Sequence, residues 1–308
     1  MPSLPEPVAT AIERIRLDHV SGAVSLARQA AETLLLAAPA LARQPMGPAR
    51  ATLAEIVGQL VLAQPAMAPL VNLANGVLWH TEKAADSSGL PAAIEEACQG
   101  FLALLEASRA GIGRHAEALI PDGACLATHS YSQTVLDALL AARAGGKRLT
   151  VICTESRPLL EGGLLARRLG EAGIPVRLIV DAAVYSVLPS ATLALVGADS
   201  MSSRGLVNKT GTSLLALAAR EHAKPFYALC GPEKFLPAGY APPPESAKPT
   251  SEVAAEEVAN VTVENFYFET TPLELLTGVV TGDGLLTPGQ LLPRLAHEAH
   301  PALLSGTR

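Results

Sequence analysis

The chain has 308 residues, of which 49% are hydrophobic and 17% are charged, and its formal net charge is -6. This length is enough for about two domains with a sizeable buried core. The acidic balance and the lack of a Lys/Arg-rich run argue against a direct nucleic-acid partner, because such a partner needs a basic footprint.

The N-terminal sequence and the cysteines indicate the cellular location. Met1–Val20 carries charged residues throughout and lacks the apolar core of a signal peptide. No uncharged apolar run approaches the ~20 residues that cross a bilayer. The scattered Cys98, Cys125, Cys153 and Cys230 contain no CxxC pair, which predicts buried apolar residues in a reducing cytosol. We therefore expect a cytoplasmic protein with no membrane partner, disulfide or metal site.

Residues 1–118 have the periodicity of helices. Apolar side chains recur every three or four residues, as at Val8, Ile12 and Ile15, and proline-containing breaks separate the blocks. Such spacing is typical of amphipathic helices that share an apolar core. We predict an α-helical N-terminal domain over residues 1–118.

After Ile120, short apolar runs alternate with helical blocks. The predicted strands are Ala124–Thr128, Leu149–Cys153, Val176–Val180, Thr192–Val196 and Pro225–Leu229. The predicted helices between them are Gln133–Ala144, Leu160–Ala172, Ala182–Leu188 and Thr212–His222. This alternation predicts a Rossmann-like α/β domain with a doubly wound parallel sheet over residues 119–308. Pro237–Glu252 is predicted as a solvated loop, and Asn260–Glu269 as an edge strand.

A carboxylate and a cationic segment follow the fourth predicted strand. Asp199 comes just after its end, and a predicted loop then leads to Asn208–Thr212, which opens the next helix. The carboxyl ends of strands in such sheets bind ligands, and a helix start offers backbone N–H groups to an anion. This pattern indicates an anion-binding site that contains Asn208 and Lys209. A surface aspartate beside a solvated lysine is the alternative interpretation.

Two further polar segments follow predicted strands. Ser130, within Thr128–Ser132, can offer a hydroxyl and backbone N–H groups to a phosphate, but this serine-rich segment can also cap the next helix. Arg157, after the second strand, carries a planar guanidinium suited to a phosphate. A structural ion pair between Arg157 and Glu155 is the alternative. His129 is expected to be a packed or hydrogen-bonded histidine.

These segments together resemble the regulatory alpha, beta and delta subunits of eukaryotic translation initiation factor 2B, with methylthioribose-1-phosphate isomerase and ribose-1,5-bisphosphate isomerase. The resemblance covers most of the chain and rests on the joint order of its motifs. They are Ser21–Ala23, Arg43–Pro45 through Asn75, Thr128–Ser132, Thr154–Pro158, Gly197–Asp199, Asn208–Thr212 and Phe268–Pro272. No cofactor is implied, because the sequence has no GxGxxG after a strand and no P-loop.

The resemblance implies a catalytic pair and exposes a departure from it. In the isomerases, the residue after Thr-His is a cysteine that works with the aspartate to move a proton. Here Asp199 is retained, but Ser130 stands at the cysteine position. An alcohol needs much stronger activation than a thiol to ionise, so proton transfer at this site is in doubt.

A second departure lies in the N-terminal motif. The isomerases carry Arg-Gly-Ala there, and the arginine grips a substrate phosphate, whereas this chain has Ser21, Gly22 and Ala23. One phosphate-binding guanidinium is therefore missing. Arg43 resembles a second phosphate-facing arginine that is retained, and a cation at a helix C-terminus is the alternative interpretation.

Two functions follow from these observations. The first, favoured by Ser130 and Ser21, is a factor 2B-like regulatory protein that binds a sugar phosphate or nucleotide without catalysis. The second is an aldose–ketose isomerase acting on a phosphorylated ribose, with Asp199 and Ser130 as its catalytic residues. Retained Asp199, Asn208 and Lys209 keep this alternative open. The expected partners are a small phosphorylated metabolite and a second copy of the chain, forming a homodimer through the C-terminal domain.

Overall fold

The computed structural model describes residues 4–18, 22–65, 67–245, 247–256 and 258–305. Contacts within the chain divide it into two compact units. The first consists of Met1–Ala107, Glu233–Pro243 and Arg294–Arg308, and the second of Ser108–Pro232 and Pro244–Pro293. The first unit therefore recruits two later stretches of the chain in addition to the N-terminal helices.

The helical elements are numbered in chain order. They are α1 (Glu6–Leu17), α2 (Ala23–Leu41), α3 (Met46–Ala63), α4 (Ala68–Thr81), α5 (Leu90–Leu119), α6 (Gln133–Ala144), α7 (Glu161–Glu171), α8 (Val184–Val187), α9 (Thr212–Glu221), α10 (Pro288–Leu291) and α11 (Pro301–Ser305). Within the described residues, no helix is both long and apolar enough to cross a membrane.

The first unit has the predicted helical character. Val8, Ile12 and Ile15 bury one face of α1, as their spacing predicts. They join an apolar core to which α2, α3 and α4 also contribute, with Leu34 and Leu53 fully buried. Burial of one apolar stripe per helix is the main source of stability in such a bundle.

The strands are also numbered in chain order. They are β1 (Ala124–Thr128), β2 (Leu149–Thr154), β3 (Val176–Ile179), β4 (Leu193–Val196), β5 (Ser200–Ser202), β6 (Gly205–Lys209), β7 (Phe226–Leu229), β8 (Phe268–Thr271), β9 (Gly278–Thr281) and β10 (Gly284–Leu286).

In the described part of the second unit, a seven-stranded sheet has the order β10-β9-β7-β4-β1-β2-β3. All neighbouring pairs are parallel except β9 and β10, which form an antiparallel pair. β1, β2, β3, β4 and β7 are the five predicted strands, each within one residue of its predicted bounds. The predicted helical N-terminal region followed by a mostly parallel α/β fold is confirmed.

Three predictions about this unit are wrong. The segment between Asp199 and Asn208 is not a loop but the antiparallel hairpin of β5 and β6. The predicted edge strand Asn260–Glu269 is instead β8, which pairs with β6 in a separate sheet of order β5-β6-β8 among the described strands. The predicted helix Ala182–Leu188 contains only α8 between two short 3-10 turns. These elements are short and polar or irregular, so no apolar run marks them.

The prediction that all cysteines are buried is wrong for Cys125. Cys98, Cys153 and Cys230 are buried, but Cys125 is only partly covered. Its neighbours in β1, Ala124 and Leu126, are buried. Side chains alternate between the two faces of a strand, so Cys125 points away from the face that those two residues pack.

The strand order reverses at β1. From β1 the chain passes through α6 to β2 and β3 on one side, and it later crosses to β4 on the other side. In open sheets of this kind, the crevice between the carboxyl ends of the two strands at the reversal is where ligands bind. The residues that follow β1 and β4 therefore define the candidate site.

Two glycines of α5 offer a matched test of packing. A Cβ added at Gly111 would lie 2.6 Å from the backbone Cα of Gly282, whereas one added at Gly113 would meet nothing within 4 Å. We expect Gly111→Ala to lower the free energy of unfolding by about 1–3 kcal/mol through overpacking. Gly113→Ala should leave it unchanged or raise it by up to about 1 kcal/mol. Urea denaturation checks both, and equal effects of the two variants would contradict the packing described here.

Candidate functional site

His129 joins three loops at the carboxyl end of the sheet. Its Nδ1 lies 2.6 Å from Thr154 Oγ1, at the end of β2. Its Nε2 lies 2.8 Å from the carbonyl oxygen of Thr210, just before α9. Gly211 packs on the ring, since a Cβ at this glycine would lie 2.7 Å from it. The expectation of a hydrogen-bonded histidine is met, and both ring nitrogens are engaged within the protein.

The imidazole of His129 is held in its neutral form. Only 2% of the residue is exposed, and this burial lowers its pKa, although the Thr210 carbonyl and the nearby Asp181, Glu269 and Glu161 act in the opposite direction. Nε2 must donate to the carbonyl oxygen, so Nδ1 accepts from the Thr154 hydroxyl. This arrangement makes His129 a connector and leaves no nitrogen for a ligand proton.

The loops after β1 and β2 are linked directly. Ser130 and Ser156 both have positive φ angles, 65° and 64°, which are uncommon for residues other than glycine. The backbone N–H of Ser130 donates to Ser156 Oγ at 2.7 Å. The carboxylate of Asp181, after β3, accepts from the backbone N–H groups of Ser156 and Arg157, each at 2.7 Å. Backbone strain of this kind persists where surrounding contacts fix the conformation, often at functional sites.

Ser132 connects the loops after β1 and β4. Its Oγ accepts from the backbone N–H of Val135 at 3.3 Å, so the predicted helix-capping alternative applies to this serine. A Cβ added at Gly197 would lie 2.7 Å from the Ser132 Cβ, so the two loops are in close contact. Asp199 follows Gly197 and is partly buried, with its backbone N–H donating to the Val207 carbonyl oxygen at 3.0 Å.

Lys209 does not lie in solvent, and that alternative interpretation is wrong. The residue is 5% exposed, and its Nζ lies 2.5 Å from Glu161 Oε1 at the start of α7. The ammonium group also lies 4.9 Å from the ring centroid of Tyr267 and 5.6 Å from that of Phe268. A carboxylate and two aromatic faces therefore stabilise this buried cation.

Two backbone N–H groups at the start of α9, where the sequence predicts anion binding, have an acceptor within the protein. Glu269 Oε1 accepts from the backbone N–H of Gly211 at 2.9 Å and of Ser213 at 2.6 Å. Glu269 lies in β8 opposite Asn208, which fixes the carboxylate at the positive end of the helix dipole. The Asn208 side chain, in turn, donates to Thr212 Oγ1 at 2.9 Å.

Arg157 is exposed, and the hydrogen bond described for its guanidinium goes to Glu252 rather than to Glu155. Its guanidinium Nη2 donates to the backbone carbonyl oxygen of Glu252 at 2.7 Å. The carboxylate of Glu252 accepts from the Tyr267 hydroxyl and from Asn265. Residues near the end of the predicted solvated loop are therefore hydrogen-bonded to the strand-end loops, and Arg157 is one of their attachment points.

The N-terminal residues predicted to bind phosphate belong to the first unit, and one of them lies outside the described residues. Ser21 is outside the described residues. Gly22 is the N-cap residue of α2 and Ala23 its first helical residue, with no side-chain cap. Arg43 is exposed after the end of α2, as its alternative interpretation supposes for a helix C-terminal cation.

Three acidic residues of the site were not singled out from the sequence. Asp181 accepts from the backbone N–H of Arg157, Glu161 pairs with Lys209, and Glu269 accepts from the backbone N–H of Gly211. Each of these partners belongs to a segment in which the sequence predicts ligand binding. Asp181 directly follows a predicted strand, which is a signal that could have identified it. Glu161 and Glu269 are distant in sequence from Lys209 and Gly211, so only the folded chain brings these pairs together. Among the described residues, no cluster of His, Cys, Asp and Glu could hold a metal ion.

The fold is that of an α/β protein with a mostly parallel sheet that follows a helical N-terminal region. The model of the Initiation factor 2 subunit family matches residues 19–288. The chain therefore belongs to that family, and the resemblance stated from the sequence is confirmed.

Relatives with two kinds of name share this sequence. A ribose 1,5-bisphosphate isomerase of Archaeoglobus fulgidus is 34% identical over 289 residues, covering 92% of this chain and 90% of that protein. A translation initiation factor eIF-2B subunit 2-like protein of Pyrococcus horikoshii is also 34% identical over 289 residues, covering 92% and 98%.

Solved structures share the fold. The crystal structure of the translation initiation factor eIF-2B of Pyrococcus horikoshii OT3 is 32% identical, with a TM-score of 0.76, covering 92% of this chain and 98% of that chain. That of 5-methylthioribose 1-phosphate isomerase from the same organism is 22% identical, with a TM-score of 0.68, covering 97% and 86%, and shows likeness of fold alone.

The neutral His129 predicts a pH dependence of stability. Its pKa is lowered in the folded chain, whereas the unfolded chain takes up a proton near pH 6.5. Stability should therefore fall as the pH drops below about 6.5, by at most about 1.4 kcal/mol per pH unit for this one proton. Urea denaturation between pH 7.5 and 5 should show a smaller slope for His129→Gln. His115→Gln, at a partly buried position of α5, serves as the control, and an unchanged slope in His129→Gln would contradict the role given to His129.

The cap on α9 predicts a second stability effect. Glu269→Ala removes the acceptor of two backbone N–H groups, so we expect the free energy of unfolding to fall by about 1–2 kcal/mol. Glu269→Gln keeps an oxygen acceptor and should cost less. Glu256→Ala, at an exposed position, is the control. Thermal and urea denaturation measure these differences, and equal stability of Glu269→Ala and Glu256→Ala would refute the capping role.

Proposed function

We propose that this protein binds a phosphorylated ribose between the carboxyl ends of β1 and β4 and interconverts its aldose and ketose forms. The observation that carries the proposal is the strand order, because Ser130 and Asp199 follow the two strands that flank the reversal. Ribose 1,5-bisphosphate is the first substrate to test, since relatives named for its isomerisation are 30–34% identical to this chain over about nine-tenths of its length.

The proposed isomerisation needs a side chain that can accept a proton and give it back. Aldose–ketose conversion moves hydrogen between neighbouring carbon atoms, so a base must remove a proton and an acid must return it. Asp199 is a partly buried carboxylate on a loop whose backbone is hydrogen-bonded to β6. In the proposal, Asp199 removes the proton from C2 and returns it to C1, while the C1–O4 ring bond breaks and the C2 hydroxyl proton passes to the ring oxygen, which leaves a carbonyl at C2.

Ser130 has a role that does not require it to ionise. Its backbone is fixed by the hydrogen bond to Ser156 Oγ, and only 9% of the residue is exposed. A preorganised hydroxyl can donate a hydrogen bond to a substrate oxygen on which negative charge develops. In the proposal, Ser130 supplies this donor, and the missing thiol lowers the rate rather than abolishing the reaction.

A second candidate function is non-catalytic binding of the same class of ligand in a regulatory role. The observation that favours it is Ser130, because an unactivated alcohol does not ionise near neutral pH as a thiol can. Relatives named translation initiation factor eIF-2B subunit 2-like, 30–34% identical to this chain, are compatible with that role.

The two candidates differ in the behaviour of Asp199. For an isomerase, the protein converts ribose 1,5-bisphosphate to a ketose and incorporates deuterium from the solvent into carbon-bound positions. Asp199→Asn should then reduce the rate by about 10²–10⁴-fold while retaining ligand binding. Ser130→Cys should raise the rate above that of the unmodified protein, and Ser130→Ala should lower it.

The controls separate loss of chemistry from loss of fold. Glu171→Gln, at an exposed position of α7, should behave as the unmodified protein. If the unmodified protein binds the bisphosphate but forms no ketose and incorporates no deuterium over a day, the isomerase proposal fails and the regulatory candidate stands. If it binds neither the bisphosphate nor any other pentose phosphate, both candidates fail.

A further inference from the structure

We propose that Glu161 is a specificity-determining residue. Its carboxylate is an internal anion that pairs with Lys209, and among the ligands considered only a phosphate replaces this carboxylate. This inference rests on the proposed function, because it concerns how the phosphate end of the ligand is recognised. The ion pair between Lys209 and Glu161 is then the state without ligand, and the ligand phosphate takes the place of Glu161 when it binds.

The ammonium group of Lys209 is buried and has little access to solvent. Its side chain is 6% exposed, and it lies at the end of β6 with its ammonium group near the rings of Tyr267 and Phe268. Taking an unpaired ammonium group into such surroundings costs several kcal/mol, so an anion must accompany it. In this structure that anion is the Glu161 carboxylate, whose Oε1 lies 2.5 Å from Nζ.

Glu161, in contrast, is poorly satisfied and has a route to water. Its Oε2 is buried and has no hydrogen-bond partner among the described residues. Leaving a buried acceptor unpaired is energetically unfavourable. The Glu161 side chain is nevertheless 25% exposed, compared with 6% for that of Lys209. When the pair separates, the carboxylate can therefore turn toward solvent while the ammonium group stays in place.

The carboxylate of Glu269 is held by more contacts than that of Glu161. Its Oε1 accepts two backbone N–H groups, and its backbone is paired with β6. Displacing it would leave Gly211 and Ser213 without their acceptor and would free the start of α9. Glu161 makes a single ion pair at the first position of α7, where the backbone does not depend on its side chain. The exchange therefore takes place at Glu161.

The exchange favours a phosphate over other groups. A phosphate monoester carries about 1.5 to 2 negative charges near neutral pH and three acceptor oxygens, whereas a carboxylate carries one charge and two oxygens. Replacing Glu161 by a ligand carboxylate gains no charge at Lys209, and replacing it by a neutral sugar hydroxyl loses one. Glu161 thus sets a charge threshold that selects the phosphorylated sugar against its unphosphorylated or oxidised relatives.

The test compares affinities for ribose 5-phosphate, D-ribonate and inorganic phosphate by isothermal titration calorimetry. Glu161→Gln removes the competing charge but keeps an oxygen that can accept from Lys209. We expect it to bind ribose 5-phosphate about tenfold more tightly than the unmodified protein, and to discriminate less against D-ribonate. Glu171→Gln makes the same change of net charge on an exposed part of the same helix and should leave both affinities unchanged.

A double variant removes the remaining ambiguity. If the gain arises at Lys209, Glu161→Gln combined with Lys209→Gln should show none of it, and circular dichroism checks that each variant folds. Glu161→Ala provides a second single substitution that should bind ribose 5-phosphate more tightly. Equal or weaker binding by both Glu161 variants, or an equal gain in Glu171→Gln, would overturn the inference. If neither the unmodified protein nor Glu161→Gln binds any pentose phosphate, the proposed function itself fails.

Discussion

The candidate site depends on a buried, neutral imidazole. His129 donates to the carbonyl oxygen of Thr210 and accepts from the hydroxyl of Thr154, which fixes loops from distant parts of the sequence to one another. The same ring explains Gly211, whose left-handed φ of 107° and lack of a Cβ allow the chain to pass over it. Burial lowers the pKa of the His129 imidazole and so favours its neutral form.

The second constraint is charge balance around the strand ends. The groups that the sequence marks as anion ligands already have acceptors: Glu161 for Lys209, Glu269 for the start of α9 and the Glu252 carbonyl for Arg157. Buried cations and helix ends need such partners in any unliganded protein. At the proposed anion site, a ligand would therefore have to replace one of these acceptors. Which acceptor leaves is decided by burial and by how many other groups it satisfies.

The sequence predicts the main sheet because its parallel strands are continuous apolar runs, such as Leu149–Cys153, whose burial on both faces leaves an unambiguous pattern. It does not predict β5, β6 and β8, because short polar strands are stabilised by partners rather than by their own pattern. The site divides in the same way. Ser130 and Asp199 are found from their position after strands, whereas the acidic partners of Lys209 and Gly211 come from other parts of the chain and are specified only by the fold.

The proposed exchange at Lys209 would also affect the loop that carries Ser130. Glu161 is followed by Gly162, where an added Cβ would overlap the Thr154 carbonyl oxygen and lie 2.8 Å from Ser156 Oγ, so the start of α7 rests on the loop after β2. That same Ser156 Oγ accepts the backbone N–H of Ser130. In the proposed exchange, a phosphate that releases Glu161 would therefore act on a hydrogen bond made by Ser130, whose φ angle is positive. In this arrangement, the binding energy of the phosphate is used to position the hydroxyl at the reacting end of the sugar, which is how remote contacts contribute to the rate of a reaction rather than only to affinity.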